Sequence, residues 1–314
     1  MITIAILTFN RQEVLLKNLG TIEKQTYSDR EIIVVDNGNS NKTRSLISQY
    51  DPEAIYLAMS SNIGCVARNF GLKAAHGEIV VTLDDDVLFG DFDALAKIVK
   101  FFEGRPDVSV MNFKIVFEED RSIIPFNWFH PRDYQRYGEE EFETDYISEG
   151  AVAFRKEIFE HTGYYPEEFY LSHEGPDLAY RIINAGYTII YSPEIEVIHK
   201  VDRNHRPSWR NSYYDTRNQI WLGVRNFPMP MLIKHLSYRL ITTLLFSLFR
   251  GHIIWYLRAI WDAFIGIPRE MKYRRPISRG TVTRLREIRR CKPNLLNKIR
   301  QFFEKVRLIK GYYN

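Results

Sequence analysis

Two cysteines in 314 residues, Cys65 and Cys291, are too few for a disulfide framework, and neither has the Cys and His spacing of a zinc site. That usage suits a reducing compartment. No uncharged apolar run reaches the roughly 20 residues that a spanning helix needs. Leu240 to Phe249 and His252 to Ile267 are strongly apolar and aromatic, but Lys234, Arg239, Arg250, Arg258 and Asp262 interrupt that region. No basic segment or small-residue cleavage site precedes Ile2-Thr3-Ile4-Ala5-Ile6-Leu7, which therefore reads as a core strand rather than a signal peptide. Internal repeats and low-complexity tracts are also missing. A content of 45% hydrophobic and 26% charged residues can bury a full core, which argues against disorder and for one large domain with an appendage, or two domains.

The net charge of +4 hides an asymmetry. Residues 1–230 carry 24 Lys and Arg against 35 Asp and Glu, whereas residues 231–314 carry 19 against 4. The chain is accordingly divided at residue 230, into an acidic body and a basic, aromatic-rich helical region. The acidic body suits metal-assisted chemistry. The basic region suits an anionic membrane face better than nucleic acid, as one or two amphipathic helices followed by a basic tail from Arg269 to Lys310. Ordinary packing helices of a soluble oligomer are the competing reading.

Strand and helix signals alternate through the first half. Strands are predicted at Ile2 to Thr8, Glu31 to Val35, Ala54 to Leu57 and Glu78 to Leu83. Helices are predicted at Gln12 to Lys24, Ser40 to Gln49, Gly64 to Ala75 and Asp91 to Glu103. This is an α/β pattern, which builds a mostly parallel sheet flanked by helices and binds ligands outside the carboxyl ends of its strands. Polar clusters fall at three such ends: Thr8-Phe9-Asn10-Arg11, Asp36-Asn37-Gly38 and Asp84-Asp85-Asp86. Glu118 to Ile147 reads as an irregular aromatic excursion over the site, on the acceptor side. Gly150 to Phe154 returns to strand. A helix with Pro176 in its first turn then runs to about Ala185, stopped by Gly186, and strands follow at Tyr187 to Tyr191 and Glu196 to His199.

The three consecutive aspartates are the most specific signal. Side chains alternate along an extended chain, so Asp84 and Asp86 are expected to point the same way, and two like charges that close repel unless a cation lies between them. All-oxygen ligation suits Mg²⁺ or Mn²⁺, with phosphate oxygens and water completing the shell. An acidic solvated loop is the plainer reading of the triplet taken alone.

Thr8-Phe9-Asn10-Arg11, Val34 to Gly38, Asn62-Ile63-Gly64 with Ala67-Arg68-Asn69, and Leu83 to Asp86, in that order, resemble the family 2 glycosyltransferases of GT-A fold. His173-Glu174 with Asp177 to Arg181, and Pro193 with His199, extend the match, which covers about residues 1 to 225. The resemblance implies a GT-A nucleotide-binding sheet with a C-terminal helical appendage. It implies a nucleotide-sugar donor whose base and ribose meet Thr8 and Asp36, with Arg68 reaching the base or diphosphate. Asn10, Arg11, Asn37, Asp84 and Asp85 belong to the same donor motifs. Asp84 and Asp86, with Asp86 the more direct ligand, and His199 would hold Mn²⁺ or Mg²⁺. Such transferases generally invert the anomeric centre, with a carboxylate deprotonating the acceptor hydroxyl.

The usual base in these relatives is the Asp of a Glu-Asp-x-Asp-Leu pattern, and this chain has Glu174-Gly175-Pro176-Asp177-Leu178. Glu174 is the preferred catalytic carboxylate and Asp177 the alternative. The implied activity is metal-dependent sugar transfer to a glycan or lipid-linked acceptor, at the cytoplasmic face of a membrane and peripherally attached to it. Two rivals stand beside it: a nucleotidyltransferase, which usually has a Gly-rich basic loop after its first strand, and a non-catalytic membrane or nucleic-acid binding protein.

Overall fold

The structure, a computed structural model, describes residues 1–200 and 207–293. The part of the predicted basic tail from residue 294 onward lies outside the described residues.

The first half follows the expected alternation: β1 (Ile2–Thr8), α1 (Gln12–Glu23), β2 (Arg30–Asp36), α2 (Asn41–Tyr50), β3 (Ile55–Ala58), α3 (Arg68–Ala74) and β4 (Ile79–Asp84). Gly64–Ala67 forms a 3₁₀ turn ahead of α3, so the predicted helix starts tighter than an α-helix. Strands β1, β2, β3 and β4 pair in parallel, and the register sets Thr8 beside Asp36 and Leu7 beside Asp84. Alternation along β1 makes both layers. Ile2, Ile4 and Ile6, fully buried, face Leu15, Leu19 and Ile22 of α1, while Ala5 joins Ile33, Val35 and Leu72 on the other face. Burial of each such isoleucine contributes about 1.5–3 kcal/mol.

The second half adds β5 (Val87–Phe89), α4 (Ala94–Gly104), β6 (Val108–Val116), α5 (Tyr134–Tyr137), β7 (Phe142–Glu143), β8 (Ala151–Arg155), α6 (Ile158–Thr162), α7 (Glu174–Asn184) and β9 (Thr188–His199). The sheet order is β3-β2-β1-β4-β8-β6-β9-β5, with β7 paired to β9. Here the sheet becomes mixed, because β8 runs antiparallel to both β4 and β6, and β5 and β7 antiparallel to β9. β6, an interior strand, was not read from the sequence. β9 is one strand where two were expected, and its register against β6 shifts between Phe113 and Lys114, across Pro193. The segment from Glu118 to Ile147 is largely irregular, as anticipated. Its Trp128 is packed down against Phe142 and Tyr191, while Phe129 stays exposed beside Tyr146.

The C-terminal helices are α8 (Trp209–Asn226), α9 (Met229–Phe249), α10 (Ile253–Glu270) and α11 (Arg279–Ile288). α8 packs on α7 and carries α9 and α10. The indole of Trp221 donates to the Ala263 carbonyl at 3.0 Å, and Arg225 bridges Glu168 at 2.8 Å and Glu270 at 2.6 Å. From α11 and the turn after it, Arg284 and Arg289 pair with Glu143 and Asp145, tying this end to the sheet. Among the described residues no helix is long and apolar enough to cross a membrane. Even so, Ile241, Leu245, Leu248 and Phe249 on α9, and Ile254, Leu257, Trp261, Phe264 and Ile265 on α10, are each at least 54% exposed.

Candidate functional site

The ends of β1, β2 and β4 meet at one edge, and the predicted polar clusters meet with them. β4 ends at Asp84, so Asp85 and Asp86 lie in the turn beyond it rather than on the extended strand. The aspartates take different partners. Asp84 pairs with the buried guanidinium of Arg68, whose side chain also donates to the Cys65 carbonyl at 3.2 Å. Asp85, fully buried, accepts from Thr8 Oγ1 at 2.7 Å and from Arg11. Asp86 accepts from Arg11 at 2.6 Å and has an oxygen 3.6 Å from His199 Nε2.

These partners set the charges. Burial tends to raise the pKa of Asp84, but the adjacent Arg68 holds it below the ordinary carboxylate range. For Asp85 burial wins over Arg11, and its pKa is pushed up to about 7. Asn18 of α1 supports the turn by donating to the Val87 carbonyl at 2.5 Å, and the backbone N–H of Lys200 donates to the Asp86 carbonyl at 2.8 Å.

Asp36 and Asn37 shape the adjoining loops. Asp36 accepts from the N–H groups of Gly38 and Ser40, both at 2.8 Å, and from Tyr56 Oη at 2.6 Å. Asn37 bonds Asn62, Ile63 and Gly64, which fixes the approach to α3. Asn10 is exposed and left-handed, with φ 55°.

Carboxylate oxygens beside one imidazole are donors that suit a divalent cation. Among the described residues no three His, Cys, Asp or Glu side chains form a ready cage. Asp86 and His199 nonetheless face each other, and His199 Nδ1 is buried with no hydrogen-bond partner among the described residues. Two protein ligands, with phosphate oxygens and water filling the remaining positions, is an ordinary arrangement for magnesium-like ions.

The second cluster lies at the N-terminus of α7. The approaching loop holds Tyr170, Ser172 and His173 at positive φ, an unfavourable conformation for residues with side chains. Asn218 restrains it, its amide lying 2.8, 2.6 and 2.8 Å from the carbonyls of Phe169, Leu171 and Ser172, and Arg217 donates to the Glu168 and Phe169 carbonyls. Arg217 and Asn218 of α8 therefore brace this loop. His173 pairs with Asp215 at 2.7 Å; burial tends to raise the Asp215 pKa, but His173 beside it holds it at about 2.

Glu174 and Asp177, the two candidate bases, occupy different surroundings. Asp177 is buried, accepting from Arg181 at 3.0 Å and from Asn226 of α8 at 2.6 Å, which occupies both of its oxygens. Glu174 is 3% exposed, and one of its carboxylate oxygens has no partner among the described residues. Burial pushes its pKa upward. Beside it stands Glu149, which the sequence reading passed over. An acidic residue immediately before a strand was the only available signal. Burial and the nearby Glu174 push the Glu149 carboxyl up to about 8.

Comparison with known proteins bears on the fold and the family. The O-antigen chain rhamnosyltransferase WbaN of Salmonella anatum is 27% identical over 207 residues, covering 62% of this chain and 64% of that protein. Among solved structures, S. aureus TarS 1-349 superposes with a TM-score of 0.58 at 16% identity, covering 92% of this chain and 89% of that one. The mannosyltransferase PcManGT from Pyrobaculum calidifontis, in complex with GDP-Man and Mn²⁺, superposes with a TM-score of 0.51 at 18% identity, covering 87% of each chain. The architecture is the α/β GT-A fold that the motifs resemble. A family model, Glycosyl transferase family 2, matches residues 3–163, about half of the chain. With its strand-end aspartates meeting Thr8, Arg11, Arg68 and His199 on that fold, the chain belongs to glycosyl transferase family 2.

Proposed function

We propose that this protein transfers a sugar from a nucleotide-sugar donor to a glycan or lipid-linked acceptor, with Mn²⁺ or Mg²⁺ and with inversion at the anomeric carbon. The observation that carries the reading is the convergence of Thr8, Arg11, Arg68, Asp84, Asp85, Asp86 and His199 at one sheet edge. Thr8, Asn10, Asp36 and Asn37 form the floor for base and ribose, and Arg11, Arg68, Asp84 and Asp85 line the diphosphate end. Asp86 and His199, with Asp84 at the adjoining strand end, would hold the cation. Held there, a divalent cation would supply charge neutralisation for the leaving diphosphate. Glu174, in preference to Asp177, belongs to the acid–base group that serves the acceptor. Residues 1–230 form the catalytic unit and residues 231–314 the helical appendage.

A panel of UDP, GDP, dTDP and CDP with Mn²⁺ tests donor binding. The matching nucleotide, at 100 times its Kd, should stabilise the protein by about 2.7 kcal/mol in a thermal-shift experiment. If none of the four shifts the melting temperature and no nucleotide sugar is consumed, the reading fails.

The exposed stripes on α9 and α10 support peripheral attachment to the cytoplasmic face of an anionic membrane. Both helices place large apolar side chains at helical spacing on their outer faces, and Lys234, Arg258, Arg269 and Lys272 are exposed around them. Trp261→Asp with Leu257→Asp should reduce co-sedimentation with phosphatidylglycerol-containing vesicles by about tenfold or more. High salt should weaken wild-type binding without abolishing it. Equal partitioning of wild type and variant at low salt would show that these faces serve another contact.

A further inference from the structure

The family position for an aspartate base is Gly175 in this chain, and the space that aspartate would enter is already filled. A Cβ at Gly175 would collide with Glu149 Oε1, which accepts the Gly175 N–H at 2.7 Å. Glu149 arrives from a different part of the fold. It lies two residues before β8, the strand antiparallel to β4; its carbonyl accepts from Thr82 at 2.6 Å, and the next carbonyl, that of Gly150, accepts from Asp84 N–H at 3.1 Å. Glu149 is thereby fixed next to the strand end that carries the aspartates. It is half-buried, whereas Glu174 is almost fully enclosed with an unpartnered oxygen.

We propose that Glu149 is the general base of the transfer, supplying from the loop before β8 the carboxylate that Gly175 lacks, and that Glu174 positions and tunes it as a neighbouring carboxyl. The proposal rests on the transferase reading above and names the group that takes the acceptor's proton. One Glu149 oxygen is held by the Gly175 N–H at the start of α7, which leaves the other for the acceptor hydroxyl. The hydroxyl proton passes to that oxygen as the acceptor oxygen bonds to the anomeric carbon. The bond from that carbon to the diphosphate oxygen breaks, and its electron pair leaves with the nucleoside diphosphate.

The surroundings suit a base. Glu149 faces Arg68 of α3, Glu174 of α7, and the Tyr146 and Tyr165 side chains, whose pKa values burial raises; Cys65 and His173 lie against Glu174. Removal from water and the nearby carboxyl make Glu149 more basic than an ordinary glutamate, and a base titrating near the working pH transfers protons efficiently.

Because the acceptor is unidentified, the test uses water as acceptor and measures nucleoside diphosphate release from UDP-, GDP- and dTDP-sugars with Mn²⁺ by the full-length protein. Glu149→Gln should lower kcat by about 10²-fold, with nucleotide binding by thermal shift unchanged, which also reports that the variant is folded. Glu174→Gln should retain more activity and move the acid limb of the pH–rate profile to lower pH, since a like charge has been removed from beside Glu149. Wild-type release by Glu149→Gln, or a 10²-fold loss confined to Glu174→Gln, overturns the assignment. A wild-type protein that binds nucleotide yet releases product from no donor sugar overturns the transferase reading, and this proposal with it.

Discussion

Asp86→Ala is expected to lower sugar transfer by about 10³-fold, the scale of losing a main electrostatic stabiliser of the leaving group. The fold should survive. Asp86 lies in the turn beyond β4, and its contribution to the backbone is a carbonyl that accepts from Lys200 N–H, which alanine retains. Arg11, relieved of one partner, still holds Asp85. The diagnostic readout is nucleotide affinity with Mn²⁺ and with EDTA. In the wild type the two should differ; in the variant they should converge. Turnover at the wild-type rate would remove Asp86 from the proposed metal site.

Arg68→Met should be the most destabilising single change near the site. The guanidinium is 6% exposed, pairs with Asp84, and offsets charge on Glu149 as well. Breaking a buried pair typically costs about 3–5 kcal/mol; because about a third of the Asp84 side chain meets solvent, the expected loss is nearer 2–3 kcal/mol. The pH dependence has a definite sign. In the wild type the lowered pKa of Asp84 contributes stability above the ordinary carboxylate range that is lost as the pH falls through the folded pKa. Without Arg68 that contribution disappears and Asp84 binds its proton more tightly when folded than when unfolded. The gap between variant and wild type should therefore widen as the pH rises above about 4. Denaturant melts in EDTA across the acid-to-neutral range measure this. A pH-independent gap would mean that Arg68 acts by packing alone.

The three polar clusters were legible in the chain because strand alternation and strand termination are local events. Ile2 to Thr8 and Ile79 to Asp84 carry their own apolar pattern, and a parallel sheet necessarily brings consecutive strand ends to one edge. Thr8, Arg11 and the aspartates consequently met as expected. The partners of the aspartates were not legible. Asp84 pairs with Arg68 of α3 and Asp86 with Arg11 and His199, partners that other elements bring to the strand end.

β6 is not legible in the sequence for a related reason. Val108 to Val116 is covered on both faces and lacks the alternation that marks a half-buried strand, and the aromatic segment after it obscures its end. Strand direction was likewise undetermined: nothing within Ala151 to Arg155 says that it runs antiparallel to β4 and β6, because direction depends on how the chain returns to the sheet.

The amino-acid order by itself determined the α/β alternation, the strand ends that carry the aspartates, the family to which they belong and the charge division at residue 230, all features written in contiguous residues. Only the tertiary structure decided that Asp177 is occupied by Arg181 and Asn226, that Arg68 neutralises Asp84, and that Glu149 fills the space left by Gly175. Those pairings join residues 16 to 49 positions apart, except for Arg181 one helical turn from Asp177. A long-range contact is fixed by which surfaces the whole core brings together, so no local pattern announces it.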